Sequence, residues 1–512
     1  MTDSVYKDQP QNEDEFEISQ EILETVFEEL PPENVVAASN PSSVGMDKII
    51  AGIALGGITF NFLALNYILP TIGFVLLVLG FRNLHSENSW FKLAYICSVL
   101  RLIIQVPQLI LNATVYSGYL QGSIGKVMLY CSCALKMLML FAFWMAIDKV
   151  QEKAGIKEKS FSAGALFLWH SLTLIAAVMG LNSILVGIIM VVAFIMIIRN
   201  LISLSRLMGI NGYLITAAPV KVGDNVLAEI LAGVIIAGIA CGYIFFADYN
   251  MDWKPVEIGA CSSDEIYGRL LSLGYPEEQL KDLSPEELKL LRDADCVFFE
   301  TDEQPLNNGV EKTEHYDGGM QIYTEYPVKE LKMTHVAVRI AGDGKNGELW
   351  RVIHHFALDD DLKMKGTANL QLWGLESTKG WSGPQDLSGR LLCCQSGQDV
   401  TAEYQYIGNK SYTSTDLFGI LRAVSSCMCD FSMPAKATDR RGYVAYTSGQ
   451  TANGYLLNAW FNYTHQLGYV QYPVKSAGQY VSEGMHLKNY PFITAQSALQ
   501  FYVRDGKPSA LH

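Results

Sequence analysis

The sequence predicts an α-helical transmembrane bundle of about seven spans, followed by a C-terminal β-rich, sandwich-like domain with a short helical preface. Two patterns support this prediction. Residues 47–248 are a succession of apolar runs, broken by short loops that carry Lys and Arg. Residues 249–300 hold local helix signals, and residues 301–512 alternate polar and apolar positions in short runs separated by Gly, Asn, Asp and Pro.

The N-terminal tail, residues 1–46, is strongly acidic and is expected to be largely disordered in the cytoplasm. Residues 1–47 hold twelve Asp and Glu residues against Lys7 alone, which is most of the formal net charge of -14. This charge repels nucleic acid and anionic lipid, so it argues against phosphate-backbone binding. Ile18, Ile22, Val26 and Leu30 recur every fourth residue, so the alternative is an amphipathic helix that docks on a cytoplasmic partner.

The membrane block divides by length, because a hydrocarbon core of roughly 30 Å needs about 20 apolar residues in a helix. Residues 49–81 are too many for one upright span, and Asn66 and Pro70 lie near their middle. We therefore predict two short helices joined by a tight turn over residues 66–70; a single re-entrant element is the alternative. The other five spans are predicted at residues 91–115, 127–147, 161–180, 183–198 and 226–247.

Loop charge predicts the orientation, because Lys and Arg near span ends are retained on the cytoplasmic face. On one face of the membrane, the basic residues near the predicted span ends are Lys126 and Lys254 alone. The other side collects ten basic residues: Lys48, Arg82, Lys92, Lys149, Lys153, Lys157, Lys159, Arg199, Arg206 and Lys221. We therefore expect a plasma-membrane protein with a cytoplasmic N-terminus and an extracellular C-terminal domain.

Four ionisable side chains fall inside the predicted spans: Arg101, Lys136, His170 and Glu229. A charge at the bilayer centre costs about 2.5–3.5 kcal/mol, so each one needs a partner or a wet cavity. Gln105 and Gln108 follow Arg101 by one and two helical turns and form one polar stripe with it. That stripe is expected to face protein or water.

Two interpretations of these groups stay open. Arg101 and Lys136 have only Glu229 as a candidate counter-ion, and the resulting surplus of positive charge would suit a cavity that accepts an anion. Alternatively, Arg101 pairs with Glu229 and Lys136 extends toward the interface. His170 is either a proton relay or a satisfied histidine between helices. Two small-residue pairs predict close helix packing: Gly52 with Gly56, and Gly233 with Ala237.

The segment after the last span carries helix signals. Asp264 can cap a first helix, and Ser284-Pro285-Glu286-Glu287 is a capping box with proline at the first helical position. We expect the leucines of this preface to pack on the β domain and both glutamates of the box to face outward. Because Trp253 can anchor at the interface and Pro255 stops the helix, the module is expected to begin without a long stalk.

Two stretches of the chain carry a resemblance. They are Leu271-Ser272-Leu273-Gly274-Tyr275-Pro276-Glu277-Glu278-Gln279-Leu280-Lys281-Asp282-Leu283-Ser284, and Leu69-Pro70-Thr71-Ile72-Gly73-Phe74 with Leu79-Gly80-Phe81-Arg82-Asn83-Leu84. These runs resemble segments of uncharacterised multi-pass membrane proteins of Gram-positive, clostridial-type bacteria. The resemblance covers the membrane block and the preface, and it brings no assigned function.

Strand-like alternation in the external module is clear at residues 321–326, 335–340 and 402–407. Helices are predicted to interrupt the strands at residues 415–426 and near residues 494–499. Six cysteines lie in the module, an even number in an oxidising location, so disulfides are permitted: Cys261, Cys296, Cys393, Cys394, Cys427 and Cys429.

The cysteine spacing leaves the pairing open. A bond between Cys261 and Cys296 would staple the preface, while the adjacent pair at 393–394 could cross-link the Cys-x-Cys at 427–429. Unpaired thiols and a zinc site are the alternatives, but Cys-x-x-Cys spacing is absent from the sequence.

His354-His355 followed by Asp359-Asp360-Asp361 could bind a divalent cation, but this cluster lacks the glycine and spacing of a calcium loop. An acidic turn between strands is the expected interpretation. The sequence also contains no Gly-x-Ser-x-Gly, His-Glu-x-x-His or Gly-rich phosphate loop. We therefore predict no metal and no cofactor, and hydrolase, zinc-protease and nucleotide-binding functions have no positive support.

These features favour a membrane protein that displays an extracytoplasmic, non-enzymatic binding or sensor module. The expected partners are the lipid bilayer, a cell-wall polymer, peptide or protein outside the cell, and a cytoplasmic protein for the tail. The alternative is a transporter or a membrane-embedded enzyme that acts on an anionic or lipid-linked substrate. In that case Arg101 and Lys136 would hold the negative group, and Glu229 or His170 would handle a proton.

Overall fold

The computed structural model describes residues 41–510 except for 58–63, 157, 181–182, 211–221, 260–263, 317–318, 342–346, 363–365, 375–378, 416–420, 453, 469–470, 484–490 and 505–506. A helical N-terminal region precedes a C-terminal region of antiparallel sheets, which confirms the predicted fold class at this level. The contacts divide the chain into two compact units. The helical unit runs up to Leu109 and continues over Ser123–Ile236, and the C-terminal unit comprises Ile110–Gly122 and Ala237–His512.

Seven α-helices precede the sheets among the described residues: α1 (Pro41–Gly57), α2 (Leu65–Leu84), α3 (Ser89–Asn112), α4 (Ser123–Lys153), α5 (Ser162–Val178), α6 (Ile184–Ile210) and α7 (Asp224–Phe246). Five of them, α2, α3, α4, α6 and α7, are long and apolar enough to cross a membrane, and α5 is a shorter apolar helix. These helices are consistent with membrane association. The five later spans predicted from the sequence fall on α3–α7, whereas the count of seven spans is not confirmed.

Helices α1 and α2 approach closely at glycines. A Cβ added to Gly52 would lie 2.7 Å from the carbonyl oxygen of Gly73, and one added to Gly80 would lie 2.7 Å from that of Gly45. Gly52 therefore lies at a close helix contact, as its pairing with Gly56 predicts. Gly233 in α7 differs, because a Cβ there would meet nothing within 4 Å in the described residues.

The break between α1 and α2 lies earlier than predicted. The predicted turn at residues 66–70 is already helical, and Ala64, with a left-handed φ of 57°, stands just before α2. Pro70 removes a single backbone hydrogen bond near the start of the helix, and Thr71 Oγ1 donates to the carbonyl oxygen of Tyr67 at 2.6 Å. A proline at this position is tolerated, so it does not mark the turn.

The C-terminal unit contains two large antiparallel sheets, with strand orders β1-β9-β8-β12-β6-β5-β2 and β10-β11-β7-β13-β14-β15, and a separate β3-β4 hairpin. The strands are β1 (Lys254–Pro255), β2 (Cys296–Gln304), β3 (Val310–Tyr316), β4 (Gly319–Glu325), β5 (Leu331–Ala341), β6 (Leu349–Leu358), β7 (Ala368–Trp373), β8 (Gln385–Gln395), β9 (Gln398–Ala402), β10 (Tyr406–Thr415), β11 (Leu421–Phe431), β12 (Thr438–Gly449), β13 (Leu456–Gln466), β14 (Phe492–Arg504) and β15 (Lys507–Ala510).

The two large sheets share one core, so the arrangement is sandwich-like. Because side chains alternate along a strand, β6 directs Trp350 and Phe356 into this core, where Phe461 and other residues of the second sheet meet them. The intervening side chains of β6, including Arg351 and His355, point to the opposite face. That face is covered by the helical preface.

The preface consists of α8 (Glu265–Ser272), α9 (Glu277–Lys281) and α10 (Pro285–Leu290). Asp264 caps α8 by accepting from the backbone N–H of Ile266 at 3.0 Å, and Ser284 caps α10 by accepting from that of Glu287 at 3.2 Å. Its buried apolar residues pack on the outer face of the first sheet, as predicted: Tyr267, Leu270, Tyr275, Leu280, Leu283, Leu288 and Leu291.

The outward orientation predicted for Glu287 is wrong. Its side chain is 2% exposed and forms a bidentate ion pair with Arg351 on β6, at 2.6 and 2.8 Å. Ser388 Oγ donates to the same carboxylate at 2.7 Å. Glu286 does face solvent. The preface therefore docks through a buried charge pair as well as through its leucines.

The helices predicted at residues 415–426 and 494–499 are wrong. Residues 421–426 belong to β11 and residues 494–499 to β14, while residues 416–420 lie outside the described chain. In both cases pairing with neighbouring strands outweighs local helix preference. A short helix, α11 (Ala477–Ser482), lies between β13 and β14, with a complete capping box between Ser476 and Gln479.

Residues 110–122 are an integral part of the C-terminal unit. The carbonyl oxygen of Asn112 accepts from the backbone N–H of Val474 at 2.7 Å, and Ser117 Oγ donates to the Val474 carbonyl oxygen at 2.8 Å. β1 begins shortly after α7 and pairs with β9, in line with the absence of a long stalk. Trp253 is half-buried against Cys393 and Val400 inside this unit, and its role as an interfacial anchor stays a prediction.

Candidate functional site

Three of the four ionisable groups predicted inside the membrane line one small cavity of the helical unit. Arg101 of α3, Lys136 of α4 and His170 of α5 converge there from three different helices. The cavity volume is about 20 Å³, which is room for about one water molecule. The rest of the lining is apolar: Gly52, Ile53, Gly56, Phe74, Leu77, Met139 and Leu140.

Arg101 is buried, with 7% of its surface exposed, and its contacts are with apolar groups. Its guanidinium carbon lies 4.4 Å from the centre of the Phe74 ring, and Nη1 lies 4.0 Å from Sδ of Met139. Nε has no hydrogen-bond partner in the described residues. A cation–π contact is worth about 2 kcal/mol when desolvated, so it offsets only part of the cost of burying this charge.

His170 is equally buried and is held among aromatic rings. Its ring centroid lies 4.8 Å from that of Trp169 and 6.3 Å from that of Phe194. Nδ1 has no hydrogen-bond partner within the described chain. Among the described residues one ring nitrogen of His170 thus stays unpaired, and both interpretations of this residue remain open.

The acidic and amide members of the predicted site lie elsewhere. Glu229 is exposed on α7, and Gln105 and Gln108 are half-buried on α3 without lining the cavity. In the described structure, no Asp or Glu lines the cavity, and residues 58–63 and 211–221 contain none in sequence. Among the described residues, the cavity therefore presents two cationic side chains and a histidine without a carboxylate to balance them.

A second candidate site is an open cleft of about 600 Å³ inside the C-terminal unit. This volume is typical of small-ligand and peptide sites. The preface, strands β8 and β9 and the segment before β1 form its walls, with charged side chains of both signs: Asp252, Lys254, Glu286, Arg390 and Glu403.

The cleft has a rigid base. Arg390 Nε and Nη2 donate to the Asp282 carbonyl oxygen at 2.9 and 2.8 Å, and the Tyr404 hydroxyl donates to the Tyr443 carbonyl oxygen at 2.9 Å. The buried pair of Glu287 and Arg351 fixes the preface beside it. A ligand in this cleft would meet preformed walls.

The histidines that suggested a cation site point to different faces of β6. The Nδ1 atoms of His354 and His335 share a hydrogen bond at 2.8 Å between the sheets, whereas His355 Nε2 is bonded to the Tyr275 hydroxyl at 3.0 Å beneath the preface. Burial lowers the pKa of His335 to about 4 and that of His355 to about 3, so both are neutral at pH 7.

The neighbouring aspartates form a turn, as the sequence interpretation expected. Asp360 accepts from the backbone N–H of Asp439 at 2.6 Å, and the buried Arg440 donates to the carbonyl oxygens of Asp359, Asp360 and Leu362. In the part of the chain that the structure describes, no group of three His, Cys, Asp or Glu side chains could hold a metal ion.

The cysteines at 393, 394 and 429 are free thiols. Cys393 and Cys394 lie on β8 of the first sheet, while Cys427 and Cys429 lie on β11 of the second, and no bond joins the two pairs in the described structure. Their cross-link stays a prediction. Cys427 Sγ instead donates to Asn409 Oδ1 at 2.8 Å. Cys296 is half-buried, and Cys261 lies outside the described residues, so the staple between them stays a prediction.

Comparisons with known proteins identify no family. No protein-family model and no curated protein matches the chain. Among solved structures, a "Pore forming protein" overlaps with a TM-score of 0.18 and 7% identity, over 38% of this chain and 97% of that one. "Clostridium perfringens delta-toxin" overlaps with a TM-score of 0.16 and 6% identity, over 40% and 89%. Scores of this size support no argument about this chain.

Proposed function

We propose that the protein is a multi-pass membrane protein that displays its C-terminal unit outside the cell as a non-enzymatic binding or sensor module. The observation that carries this proposal is the open cleft of about 600 Å³ with preformed walls. The loop charges favour the orientation, because the predicted topology puts ten basic residues near span ends on one side of the membrane and only Lys126 and Lys254 on the other. The acidic tail would then lie in the cytoplasm and would be available to a protein partner.

The charges of the cleft indicate the kind of ligand. Lys254 and Arg390 stand beside Asp252, Glu286 and Glu403, so the lining offers both donors and acceptors along an open groove. An extended ligand with charges of both signs, such as a peptide or a cell-wall polymer that bears amines and carboxylates, would be complementary to this lining.

The test uses the full-length protein in lipid nanodiscs and measures binding of cell-wall fragments and secreted peptides. Glu403→Lys should weaken binding by at least tenfold, since it reverses an exposed charge inside the cleft. Glu265→Lys is the matched control, because Glu265 is exposed on α8 outside the cleft. Absence of binding to every ligand class, or equal loss in both variants, would reject the proposal.

The orientation is tested separately by adding protease to intact cells, which should cleave the C-terminal unit if it lies outside the cell.

The second candidate function is transport or membrane-embedded catalysis on an anionic or lipid-linked substrate. The convergence of Arg101, Lys136 and His170 on one cavity favours it. Under this proposal, Arg101→Met and Lys136→Met should each reduce flux or turnover. Unchanged flux in both variants would reject it.

A further inference from the structure

Among the described residues, the cavity of the helical unit carries a positive charge without a counter-ion. Arg101 and Lys136 enter it from neighbouring helices, and the orphaned Nε of Arg101 and Nδ1 of His170 lie beside it. Both Arg101 and His170 are more than nine-tenths buried. Buried cations in an apolar surrounding need a counter-ion or hydrogen-bond acceptors, and the described residues that line the cavity supply no carboxylate and, to Arg101, the weak thioether acceptor of Met139.

The Arg101 guanidinium has a buried donor without a partner among the described residues. Phe74 covers one face of Arg101 at 4.4 Å, and the weak sulfur contact to Met139 occupies Nη1. The buried N–H at Nε has no hydrogen-bond partner in the described residues. None of the described residues supplies an acceptor at this position, which leaves it available to a bound anion.

The size of the cavity restricts the chemistry of that acceptor. A volume of about 20 Å³ holds one water-sized body, so a single-atom anion fits without movement of the lining, whereas a phosphate, a sulfate or a lipid headgroup has several heavy atoms and would require the lining to move. The lining apart from the three basic groups is apolar, which suits a weakly hydrated anion. Water alone would accept a hydrogen bond but would leave the two positive charges uncompensated.

We propose that Arg101, Lys136 and His170 bind a single monoatomic anion, with chloride as the physiological occupant. This inference does not depend on the proposed binding role of the C-terminal unit. It narrows the second candidate function by naming chloride as the anion at this site. The site would hold chloride whether or not the protein also moves a substrate.

The experiment measures the melting temperature of the full-length protein in phosphatidylcholine nanodiscs, by intrinsic fluorescence. Sodium chloride and sodium gluconate are compared at equal ionic strength, with sodium phosphate as the size control. Chloride should raise the melting temperature by roughly 2 °C or more, because a ligand that binds only the folded state stabilises it. Gluconate and phosphate should not.

Substitutions of the cavity residues test whether the chloride-dependent rise in melting temperature arises at this site. Arg101→Met and Lys136→Met should abolish the chloride shift, while Arg101→Lys, which keeps a cation, should retain part of it. The matched control is Lys126→Met on the same helix as Lys136, because Lys126 is exposed and lies outside the cavity. If Arg101→Met does not fold, Lys136→Met and Arg101→Lys still test the site.

Several outcomes would overturn the inference. A wild-type melting temperature that is equal in chloride and gluconate would do so, as would a shift that Lys136→Met retains or Lys126→Met loses. An equal shift in phosphate would contradict the size argument. Loss of the shift in nanodiscs that contain anionic lipid would assign the cavity to a lipid phosphate instead. Flux of chloride into proteoliposomes, measured separately, tests transport and leaves the binding result unaffected.

Discussion

At the residue scale, the two units deal with buried arginine in opposite ways. Arg351 is fully buried and bonded to Glu287, Ser388 and Thr447, whereas Arg101 meets a ring and a thioether. Arg101 could be singled out from the sequence, because a charge inside a long apolar run is conspicuous. Glu287 could not, since Glu286 and Glu287 look alike at the start of a helix and tertiary packing alone decides which one is buried.

Glu287→Gln should destabilise the C-terminal unit by about 3–5 kcal/mol, because it leaves the Arg351 charge buried without its partner. Glu286→Gln, one residue away and exposed, should change stability by less than about 0.5 kcal/mol. Denaturant unfolding of the full-length protein in detergent, followed by near-UV circular dichroism, measures both. The double variant Glu287→Leu/Arg351→Met should recover much of the loss. Equal stability of the two single variants would show that the pair contributes nothing.

His465→Leu should flatten the acid side of the stability curve. Burial, and to a lesser extent Arg440, lowers the pKa of His465 to about 4 from an ordinary value of 6.5. Between about pH 6.5 and 4 the unfolded chain therefore binds a proton that the folded chain does not, so this residue costs about 1.4 kcal/mol of stability per pH unit as the pH falls. The variant lacks that loss.

A second histidine-to-leucine substitution, His335→Leu, is the control for His465→Leu. Both ring nitrogens of His465 lack a hydrogen-bond partner in the described residues, so His465→Leu should cost little at pH 7. His335→Leu removes the partner of His354 Nδ1 and should cost about 1–3 kcal/mol at the same pH. Urea unfolding at pH 7 and pH 5 separates the two effects. A slope for His465→Leu that equals the wild-type slope would refute the assignment.

At the scale of elements, the sequence predicted correctly those helices and helix caps that depend on neighbouring residues in the chain. Helices α3–α7 were found from the length of their apolar runs, and the caps of α8 and α10 from Asp264 and Ser284. The helices predicted within β11 and β14 failed because both strands lie inside a sheet, where partners distant in sequence determine the structure. The start of α11 was missed although Ser476 and Gln479 have the spacing of a capping box, and that signal was readable.

The close approach of α1 and α2 leads to a prediction for Gly52→Ala. The new methyl group would lie 2.7 Å from the backbone oxygen of Gly73, so the helices must separate and lose packing along their length. We expect a melting temperature several degrees lower in detergent. Gly233→Ala is the matched change, because that methyl group would meet nothing within 4 Å in the described residues. A Gly52→Ala variant as stable as Gly233→Ala would mean that the helices are not in close contact.

At the scale of the whole molecule, the C-terminal unit is assembled from two stretches of chain. Residues 110–122 join α3 to α4 in sequence, yet they satisfy both backbone groups of Val474, a residue that is 1% exposed. A Cβ on Gly118 would lie 2.6 Å from Nε2 of Gln479, so this segment also reaches α11. Composition alone separates the apolar runs from the β module in the sequence. It does not predict that residues 110–122 belong to the C-terminal unit, because no local pattern marks them as part of it.

Expression of residues 249–512 alone should therefore give a β-rich protein with a local defect. The N–H of Val474, which donates to Asn112 in the full-length protein, loses its acceptor, and hydrogen exchange from Val474 through α11 should become at least tenfold faster. Amides of β13, which is paired on both sides, should stay protected in both proteins. Exchange measured by mass spectrometry on the fragment and on the full-length protein in nanodiscs gives the comparison.

Ser117→Ala in the full-length protein should reproduce a weaker form of the defect, since it removes the hydrogen bond to the Val474 carbonyl oxygen and leaves the Asn112 contact in place. Equal protection of Val474 in all three proteins would show that residues 249–512 complete their fold without residues 110–122.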